Sequence, residues 1–262
     1  MANYDILGNI AIVKFSRKDT KKRKLEIAKK LLKTYRNVRT VLEKVGKFSG
    51  RLRTLKTKYV LGEKTKEVLY KENNCIFRFN VDSCYFSPRL ASERKEIAEE
   101  IRKGENVLVL FGGVAPFAIV IAKYSKTNRV VSVELGKEGS KYALENVKRN
   151  KLIGRVEIIQ GDVRKLQLLK SSRSQNGKFD RIVMARPNLK DDFLDVAFPL
   201  IKKNGIIHYY GFYEEDKVGG LKELIVDEAR KVKRKIKIIK IKKAGDIGVK
   251  KYRYRVDFRV LN

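Results

Sequence analysis

Three groups suited to ligand binding follow three successive strand-like segments in the second half of the chain. A glycine turn at 112–113 follows the apolar run NVLVLF, Glu134 lies at the end of RVVSVEL, and Asp162 ends RVEIIQGD. A glycine turn before a helix lets a ligand approach backbone N–H groups closely. A carboxylate about twenty residues further on can accept hydrogen bonds from both hydroxyls of a ribose, and the next carboxylate can face an adenine amino group. Together these groups predict an adenosine-binding site.

S-adenosylmethionine fits this site better than a dinucleotide does. The glycine turn carries no G-x-G-x-x-G fingerprint, and no lysine of the phosphate-binding P-loop type follows it. Each group also has an ordinary interpretation by itself, because glycine serves any tight turn and acidic residues are common at solvated strand ends. Their occurrence at three successive strand ends, on the ligand side of an open sheet, favours the cofactor.

Strand and helix segments alternate from residue 92 onward, which predicts an α/β fold with a doubly wound, mostly parallel, Rossmann-like sheet. The apolar run at 106–111 is typical of a strand that is covered on both faces. Further strands are predicted at 129–135, 155–162, 179–187 and 205–213, with a closing antiparallel pair at 235–244 and 250–261. Helices are predicted at 93–103 (with Ser92 as N-cap), 116–125, 137–151, 190–202 and 217–233, and a polar surface loop at 171–178.

The first part of the chain reads as a small α+β module. A strand at 9–15 precedes a helix at 20–45, in which apolar residues continue at helical spacing through Val38 and Leu42. Strand-like runs separated by turn residues follow at 49–62, 67–74 and 75–82, with the turns at Gly62 and at Asn73-Asn74.

The charge balance indicates a polyanionic partner. The chain carries 62 Lys and Arg residues against 30 Asp and Glu residues, a net charge of +32. The excess is spread along the chain, and a broad basic surface strengthens binding to nucleic-acid phosphates through the release of counterions. No stretch resembles a signal peptide or a membrane span. We therefore expect a soluble cytoplasmic protein that binds nucleic acid and no membrane.

No metal site is predicted from the cysteines and the histidine. The chain has two cysteines, Cys75 and Cys84, and one histidine, His208, too few for a structural zinc site. We expect both cysteines to be reduced thiols. His208 lies in a strand beside two tyrosines, so we expect it to be packed or hydrogen-bonded rather than catalytic.

Several stretches together resemble one enzyme family. They are CYFSPRLASERKEIAEEI, VLVLFGGVAPFAIVIAK, SVELGKEGSKYALENVKRNKL, GDVR and GIIHYYGFY. The sequence of these stretches is similar to that of the archaeal and eukaryal tRNA guanine-37 N1-methyltransferases, which are class I S-adenosylmethionine-dependent enzymes. The most specific part of the resemblance is S-P-R-L-x-x-E-R. The resemblance covers the whole chain and implies a monomer that methylates N1 of guanine 37 in the tRNA anticodon stem-loop. It also implies that the small N-terminal domain by which longer relatives grip the outer corner of the tRNA is lacking.

With this resemblance we predict two domains, a small α+β RNA-binding domain over 1–82 and a class I methyltransferase domain over 83–262. The residues predicted to bind the cofactor lie at the glycine turn and the two strand-end carboxylates: Phe111, Gly113, Val114, Pro116, Phe117, Glu134, Asp162 and Val163.

The chemistry at guanine N1 requires removal of a proton, which a nearby carboxylate can accept. The resemblance gives that role to Glu93, and it gives Arg53 the stabilisation of charge on O6. It places Tyr85 beside the methyl donor. Glu93 has an ordinary interpretation as well, because an acidic residue is favourable in the first turn of a helix. The predicted substrate-binding residues are Tyr85, Arg89, Arg94, Pro187 and Asn188, of which Arg89 and Arg94 are suited to phosphate or motif-internal contacts.

Three residues depart from the family pattern. Relatives commonly have Asp at the position of Val109, Gly at Ala115 and a base-holding Asn at Ala185. Either Asn188 or Arg186 compensates, or the base is held differently, or activity is redirected, for example to a tricyclic wyosine intermediate.

Two other functions stay open. One is the aminocarboxypropyl transfer of wybutosine synthesis, whose enzymes share the fold but do not show the S-P-R-L pattern as it stands here. The other is tRNA binding without catalysis, which the three departures favour. Glu93 in an intact motif favours methylation over both.

Overall fold

The first part of the chain folds around a four-stranded sheet. The computed structural model describes residues 3–165 and 178–262, so 171–177 of the predicted polar loop lie outside the described residues. The elements are β1 (Asn3–Leu7), β2 (Ile10–Lys14), α1 (Lys21–Thr34), β3 (Thr40–Ser49) and β4 (Thr54–Gly62). The strand order is β1-β2-β3-β4, in which β2 and β3 are parallel and the other neighbours antiparallel.

The helix predicted at 20–45 is wrong beyond Thr34. The segment 40–49 is instead β3, which pairs with β2 on one side and β4 on the other. Val41 packs in the core cluster under α1, and Leu42 packs in the larger cluster on the opposite face of the sheet. Long-range strand pairing with burial on both faces therefore overrides the local helical spacing.

A hairpin of β5 (Glu67–Glu72) and β6 (Cys75–Asn80) connects the two parts of the chain. Its turn is the predicted Asn73-Asn74, whose φ angles of 45° and 49° suit a tight hairpin turn. Asn146 and Asn150 fix the hairpin to a helix, because their side-chain amides each hydrogen-bond the N–H and the carbonyl of one β6 residue at 2.7–3.0 Å. The hairpin is thus attached to the second part of the chain, to which that helix belongs.

The second part of the chain confirms the predicted doubly wound, mostly parallel α/β sheet. Its strands are β7 (Asn106–Leu110), β8 (Arg129–Glu134), β9 (Val156–Gln160), β10 (Phe179–Met184), β11 (Ile201–Glu214), β12 (Ile236–Gly248) and β13 (Lys251–Val260). The order is β12-β13-β11-β10-β7-β8-β9, in which β13 is antiparallel to both of its neighbours and the pairs among β7 to β11 are parallel.

Helices cover both faces of this sheet. On one face lie α2 (Ala91–Glu100), α3 (Pro116–Tyr124) and α4 (Lys137–Arg149), and on the other α5 (Leu194–Leu200) and α6 (Val218–Lys231). The strand β7 alternates between the two cores, with Val107 and Val109 in one and Leu108 and Leu110 in the other. None of the helices that the structure describes is long and apolar enough to cross a bilayer.

The start of α2 differs from the prediction. A single 3-10 turn at Pro88–Leu90 runs directly into the helix, because the N–H of Ala91 donates to the carbonyl of Pro88. The predicted N-cap at Ser92 is therefore wrong, since the helix begins before it and Glu93 lies in the first turn. The helix α5 is also shorter than predicted, because Ile201 already belongs to β11.

Candidate active site

A cleft lies at the carboxyl ends of β7, β8, β9 and β10. Its empty volume is about 1220 Å³, including the part open to solvent, which is ample for a nucleoside-sized ligand. Of the predicted cofactor residues, those that line it are Phe111, Gly113, Pro116, Phe117, Glu134, Asp162 and Val163. Of the predicted catalytic and substrate residues, those that line it are Arg53, Tyr85, Arg94 and Pro187. The structure thus brings eleven of the predicted residues to one place.

The glycine turn at 112–113 is held by the strand-end carboxylate. Glu134 accepts hydrogen bonds from the N–H of Gly113 at 2.7 Å and of Gly136 at 2.6 Å. A Cβ on Gly112 would lie 2.1 Å from Oγ of Ser132, so only glycine fits there. Burial raises the pKa of Glu134, although hydrogen bonds from backbone N–H groups oppose the shift. Each oxygen keeps a lone pair for a ribose hydroxyl.

Glu134→Ala is expected to weaken S-adenosylmethionine binding by about 1–3 kcal/mol, because the ribose hydroxyls lose a charged acceptor and the glycine turn loses its anchor. Isothermal titration calorimetry measures this directly. Glu138→Ala removes the same charge from an exposed position four residues further along the chain and should leave the affinity for the cofactor unchanged. Wild-type affinity in Glu134→Ala would show that Glu134 does not contact the cofactor.

The turn between β3 and β4 reaches over the cleft and supplies, besides the predicted Arg53, two residues that the sequence did not predict, Arg51 and Leu52. Arg51, Leu52 and Arg53 all line it. A guanidinium nitrogen of Arg51 lies 3.6 Å from Asp162, and the Leu52 side chain lies 3.4 Å from where a Cβ on Gly136 would stand. We call residues 51–53 the roof turn. It covers the predicted adenosine site.

Arg53 and Tyr85, predicted from distant parts of the sequence, form one contact in the cleft. The Arg53 guanidinium carbon lies 4.0 Å from the centre of the Tyr85 ring, a cation–π distance. Phe48 contacts the same tyrosine edge-on at 5.3 Å between ring centres. Arg53 has a left-handed backbone with φ of 53°. The roof turn therefore presents a guanidinium that the aromatic pair holds in place.

The two arginines of the S-P-R-L-x-x-E-R stretch have different surroundings. Arg94 is 1% exposed, forms a two-pronged ion pair with Glu72, and donates to the carbonyl of Ser87 at 3.0 Å. Its contacts are thus internal to the motif and to the β5–β6 hairpin. Arg89 is exposed, does not line the cleft, and its guanidinium lies 3.4 Å from the carbonyl of Asp246.

Glu93 does not line the cleft. It is 5% exposed, accepts from the Tyr210 hydroxyl and from Arg255 at 3.0 Å each, and pairs with Lys242 at 2.8 Å. Tyr210, itself fully buried, is among the residues that line the cleft, and its hydroxyl contacts Glu93. Burial, with the neighbouring Glu93, raises the pKa of Tyr210 well above its usual value, so its hydroxyl remains protonated. The role of Glu93 as base stays a prediction.

A group of charges centred on the buried Arg255 surrounds Glu93, and its outer members Glu96 and Glu100 are partly exposed. Arg255, fully buried, pairs with Glu93, Glu96, Glu100 and Asp257 at 2.7–3.2 Å. We call these five residues the Arg255 cluster. Burial opposes the ionisation of Glu96, but its lysine partners and Arg255 outweigh that effect and lower its pKa to about 2.

His208 adjoins the Arg255 cluster. It is fully buried, with Nδ1 at 2.6 Å from Asp257 and Nε2 at 3.0 Å from Arg181. The prediction that His208 is packed and hydrogen-bonded is confirmed.

The loop after β10 contains Ala185, which stands where the resemblance implies a base-holding asparagine. Ala185, Arg186 and Pro187 line the cleft, whereas Asn188 is exposed and does not. Arg186 donates to the carbonyls of Pro187, Leu189 and Asp191 at 3.0–3.3 Å. Asn188 and Arg186 are the two residues that could compensate for the missing asparagine. Only Arg186 lines the cleft, and its hydrogen bonds fix the shape of this loop.

The other departures from the family pattern lie beneath the cleft. Val109 is buried inside the sheet between β8 and β10. Ala115 precedes α3 with a left-handed φ of 65°, which costs an alanine about 1 kcal/mol relative to glycine. Val114 is fully buried behind the lining, and its carbonyl accepts from Asn146 at 3.2 Å.

Other lining side chains were missed as well. Beyond the roof turn they include Phe193, Tyr210 and Arg253. Phe193 meets Phe111 edge-on at 4.9 Å between ring centres. Tyr210 lies in a stretch that carries the family resemblance. Its hydroxyl on an otherwise apolar strand could have indicated that it contributes to the site. Arg253 carried no local signal, because its position depends on β13 lying beside β11.

This strand order, with a glycine turn and two strand-end carboxylates around one cleft, defines a class I methyltransferase fold. Residues 68–241 match the TRM5/TYW2 methyltransferase domain, and residues 1–65 match the TYW2 N-terminal domain. The chain belongs to the TRM5/TYW2 methyltransferase family.

Two relatives are similar over nearly the whole chain. The tRNA (guanine(37)-N(1))-methyltransferase Trm5b of Pyrococcus abyssi is 34% identical, over 98% of this chain and 74% of that protein. The tRNA (guanine(37)-N(1))/4-demethylwyosine(37)-methyltransferase Taw22 of Nanoarchaeum equitans is 34% identical, over 99% of this chain and 100% of that protein.

Solved structures agree in fold. The crystal structure of Pyrococcus abyssi Trm5b has a TM-score of 0.85 at 33% identity, covering 99% of this chain and 75% of that one. A complex of aTrm5 with tRNALeu has a TM-score of 0.82 at 24% identity, covering 99% and 72%. Methanocaldococcus jannaschii TYW2 with AdoMet has a TM-score of 0.73 at 24% identity, covering 99% and 100%. The last two likenesses show the fold alone.

Proposed function

We propose that this enzyme transfers a methyl group from S-adenosylmethionine to N1 of guanine 37 in the tRNA anticodon loop. The observation that carries the proposal is that the Arg53–Tyr85 pair and the strand-end carboxylates Glu134 and Asp162 line the same cleft. A nucleotide beside the pair would lie next to the cofactor site. The relatives that are 34% identical carry this activity in their names. The cytoplasmic location and the monomeric state stay predictions.

The chain's residues would position the reactants and stabilise charge, while the cofactor supplies an electrophilic methyl group. Glu134 and Asp162 orient the adenosine beneath the roof turn. Arg53 stabilises the negative charge that develops on O6 as the N1 proton leaves. The Tyr85 ring holds that guanidinium at 4.0 Å, so little reorganisation is needed during the reaction.

The proton would leave N1 through Tyr210. The hydroxyl of Tyr210 already donates to Glu93 at 3.0 Å. As the phenolic oxygen accepts the proton from N1, its own proton passes to the Glu93 carboxylate, and Tyr210 remains neutral. This route lets a carboxylate outside the cleft act as the final proton acceptor.

The direct test is mass spectrometry of tRNA nucleosides after incubation with isotope-labelled S-adenosylmethionine. We expect label in N1-methylguanosine, and none in a transcript whose guanine 37 is replaced by adenine. Label on another nucleotide, or none at all, would contradict the proposal.

A second candidate function belongs to the wyosine pathway. The match of residues 1–65 to the TYW2 N-terminal domain and the alanine at 185 favour it. The relative from Nanoarchaeum equitans is named for both guanine and 4-demethylwyosine methylation. The same assay on tRNA that carries 4-demethylwyosine separates methyl from aminocarboxypropyl transfer by the mass that is added.

Binding of an anticodon stem-loop is expected to weaken steeply with salt, because the chain has a net charge of +32 and basic runs at 21–30 and 230–243. Fluorescence anisotropy over a salt series gives the slope of log Kd against log salt. A stem-loop with adenine at position 37 should show the same slope but accept no methyl group. A dissociation constant that barely changes, or a stem-loop with guanine 37 that is never methylated, would contradict this.

A further inference from the structure

Arg253 is a largely buried cation that has an aromatic contact but no ionic partner among the described residues. It lies on β13 opposite Phe212 of β11, is 7% exposed, and lines the cleft. Its guanidinium lies 5.3 Å from the centre of the Phe212 ring. Within residues 3–165 and 178–262 it has neither a hydrogen bond nor an ion pair through its side chain. Arg255, two positions further along the same strand, has four carboxylate partners.

The Arg253 nitrogens are not among the buried polar atoms that lack a hydrogen bond, so they are accessible from the cleft, and an arginine there stays charged. The nearest acidic residue in sequence, Asp257, already pairs with Arg255, and the acidic residues at the end of the neighbouring strand β11 have lysine partners. Glu214 pairs with Lys217 and Lys251, and Glu215 pairs with Lys243. The guanidinium, steadied by an aromatic ring and open to the cleft, is therefore suited to an oxyanion of the substrate, which it can bind through two parallel hydrogen bonds.

The strand order indicates which oxyanion this is. Glu134 and Asp162 belong to the ends of β8 and β9, on the side of β7 away from β13. From β7 to β13 there are three strand spacings, or about 14 Å. The amino-acid carboxylate of S-adenosylmethionine would lie near the glycine turn of β7. The loop after β10 and Arg253 line the same cleft on the β13 side of β7, so an RNA that entered from this side would bring its phosphates to Arg253.

We propose that Arg253 binds the non-bridging oxygens of an RNA phosphate adjacent to the target nucleotide. This inference rests on the proposed function for the identity of that nucleotide. Arg253 sets the position of the backbone while Arg53 and Tyr85, which line the same cleft, meet the base. The bound phosphate gives the Arg253 guanidinium the anionic partner that it lacks among the described residues of the free protein.

The test compares Arg253→Ala with Arg259→Ala. Arg259 lies on the same strand outside the cleft and donates to the carbonyl of Asn204. Arg253→Ala should weaken binding of the anticodon stem-loop about tenfold and reduce the salt slope by about one, with S-adenosylmethionine affinity unchanged in calorimetry. Arg259→Ala should have a much smaller effect. Retained cofactor affinity shows that the variant is folded, and Arg253→Lys, which keeps the charge, provides a second folded variant with intermediate affinity.

A stem-loop carrying a single neutral methylphosphonate, placed on either side of position 37, locates the contact. At one of the two positions the wild-type protein should lose about tenfold in affinity, and Arg253→Ala should lose nothing further. Weakened cofactor binding with unchanged RNA binding would overturn the proposal in favour of the cofactor carboxylate. Unchanged binding of both would overturn it as well. Because these are binding measurements, an inactive enzyme that passed them would contradict the proposed function alone.

Discussion

Glu93→Gln is expected to slow methyl transfer about 10²–10⁴-fold in a single-turnover experiment, the usual effect of removing a general base. The amide keeps the size of the side chain and can still accept the hydrogen bond from Tyr210. It cannot accept a proton. Affinities for the stem-loop and for S-adenosylmethionine should stay near those of the wild type, so the defect belongs to the chemical step.

The matched control is Glu96→Gln. Glu96 lies on the same helix and pairs with the same Arg255 and Lys242, but has no contact with Tyr210. It should retain most of the rate. Tyr210→Phe, which removes only the proposed proton route, should be slow like Glu93→Gln. If Glu93→Gln keeps the wild-type rate, or if both glutamine variants are equally slow, Glu93 serves the Arg255 cluster and not the proton transfer.

Glu72→Ala should lower the free energy of unfolding by about 3–5 kcal/mol, because it leaves the Arg94 guanidinium buried without its carboxylate. The side chains of the pair are 1% and 4% exposed, so water cannot replace the lost partner. Arg94 also bonds the carbonyl of Ser87, and the S-P-R-L turn should loosen together with it. Urea denaturation followed by circular dichroism measures the change.

Glu63→Ala provides the comparison, since Glu63 and Arg39 form an exposed ion pair at 3.7 Å. Exposed pairs contribute at most about 1 kcal/mol. A loss in Glu72→Ala no larger than that in Glu63→Ala would mean that the Arg94 pair contributes little to stability.

The sequence was most informative where local pattern and final environment agree. The run before the glycine turn is apolar because β7 is covered on both faces, and the groups at 113, 134 and 162 meet because parallel strands end at the same edge. The helix prediction is wrong at 40–45, the first part of β3, because helical spacing is a local property. The pairing of β3 with β2 and β4 involves partners that local periodicity does not reveal.

The contribution of β13 and of the roof turn to the cleft could not be predicted from local sequence patterns, for a similar reason. Arg253 and the roof turn lie some 200 residues apart in the chain, and they line one cleft only because β13 lies between β12 and β11 and the β3–β4 turn reaches the strand ends of the second sheet. The contacts of Glu93 likewise come from residues 210, 242 and 255. Tertiary contacts of this kind leave no periodic signal in the sequence.

The roof turn has a consequence for engineering. Since Arg51 reaches Asp162 and Leu52 approaches Gly136, the cofactor site draws on the first sheet as well as on the strand ends beneath it. A chimera that joined the second half of this chain to the front portion of a relative would inherit only part of that site. Transplanting this predicted cofactor site between relatives therefore requires moving the β3–β4 turn together with the strand ends it covers.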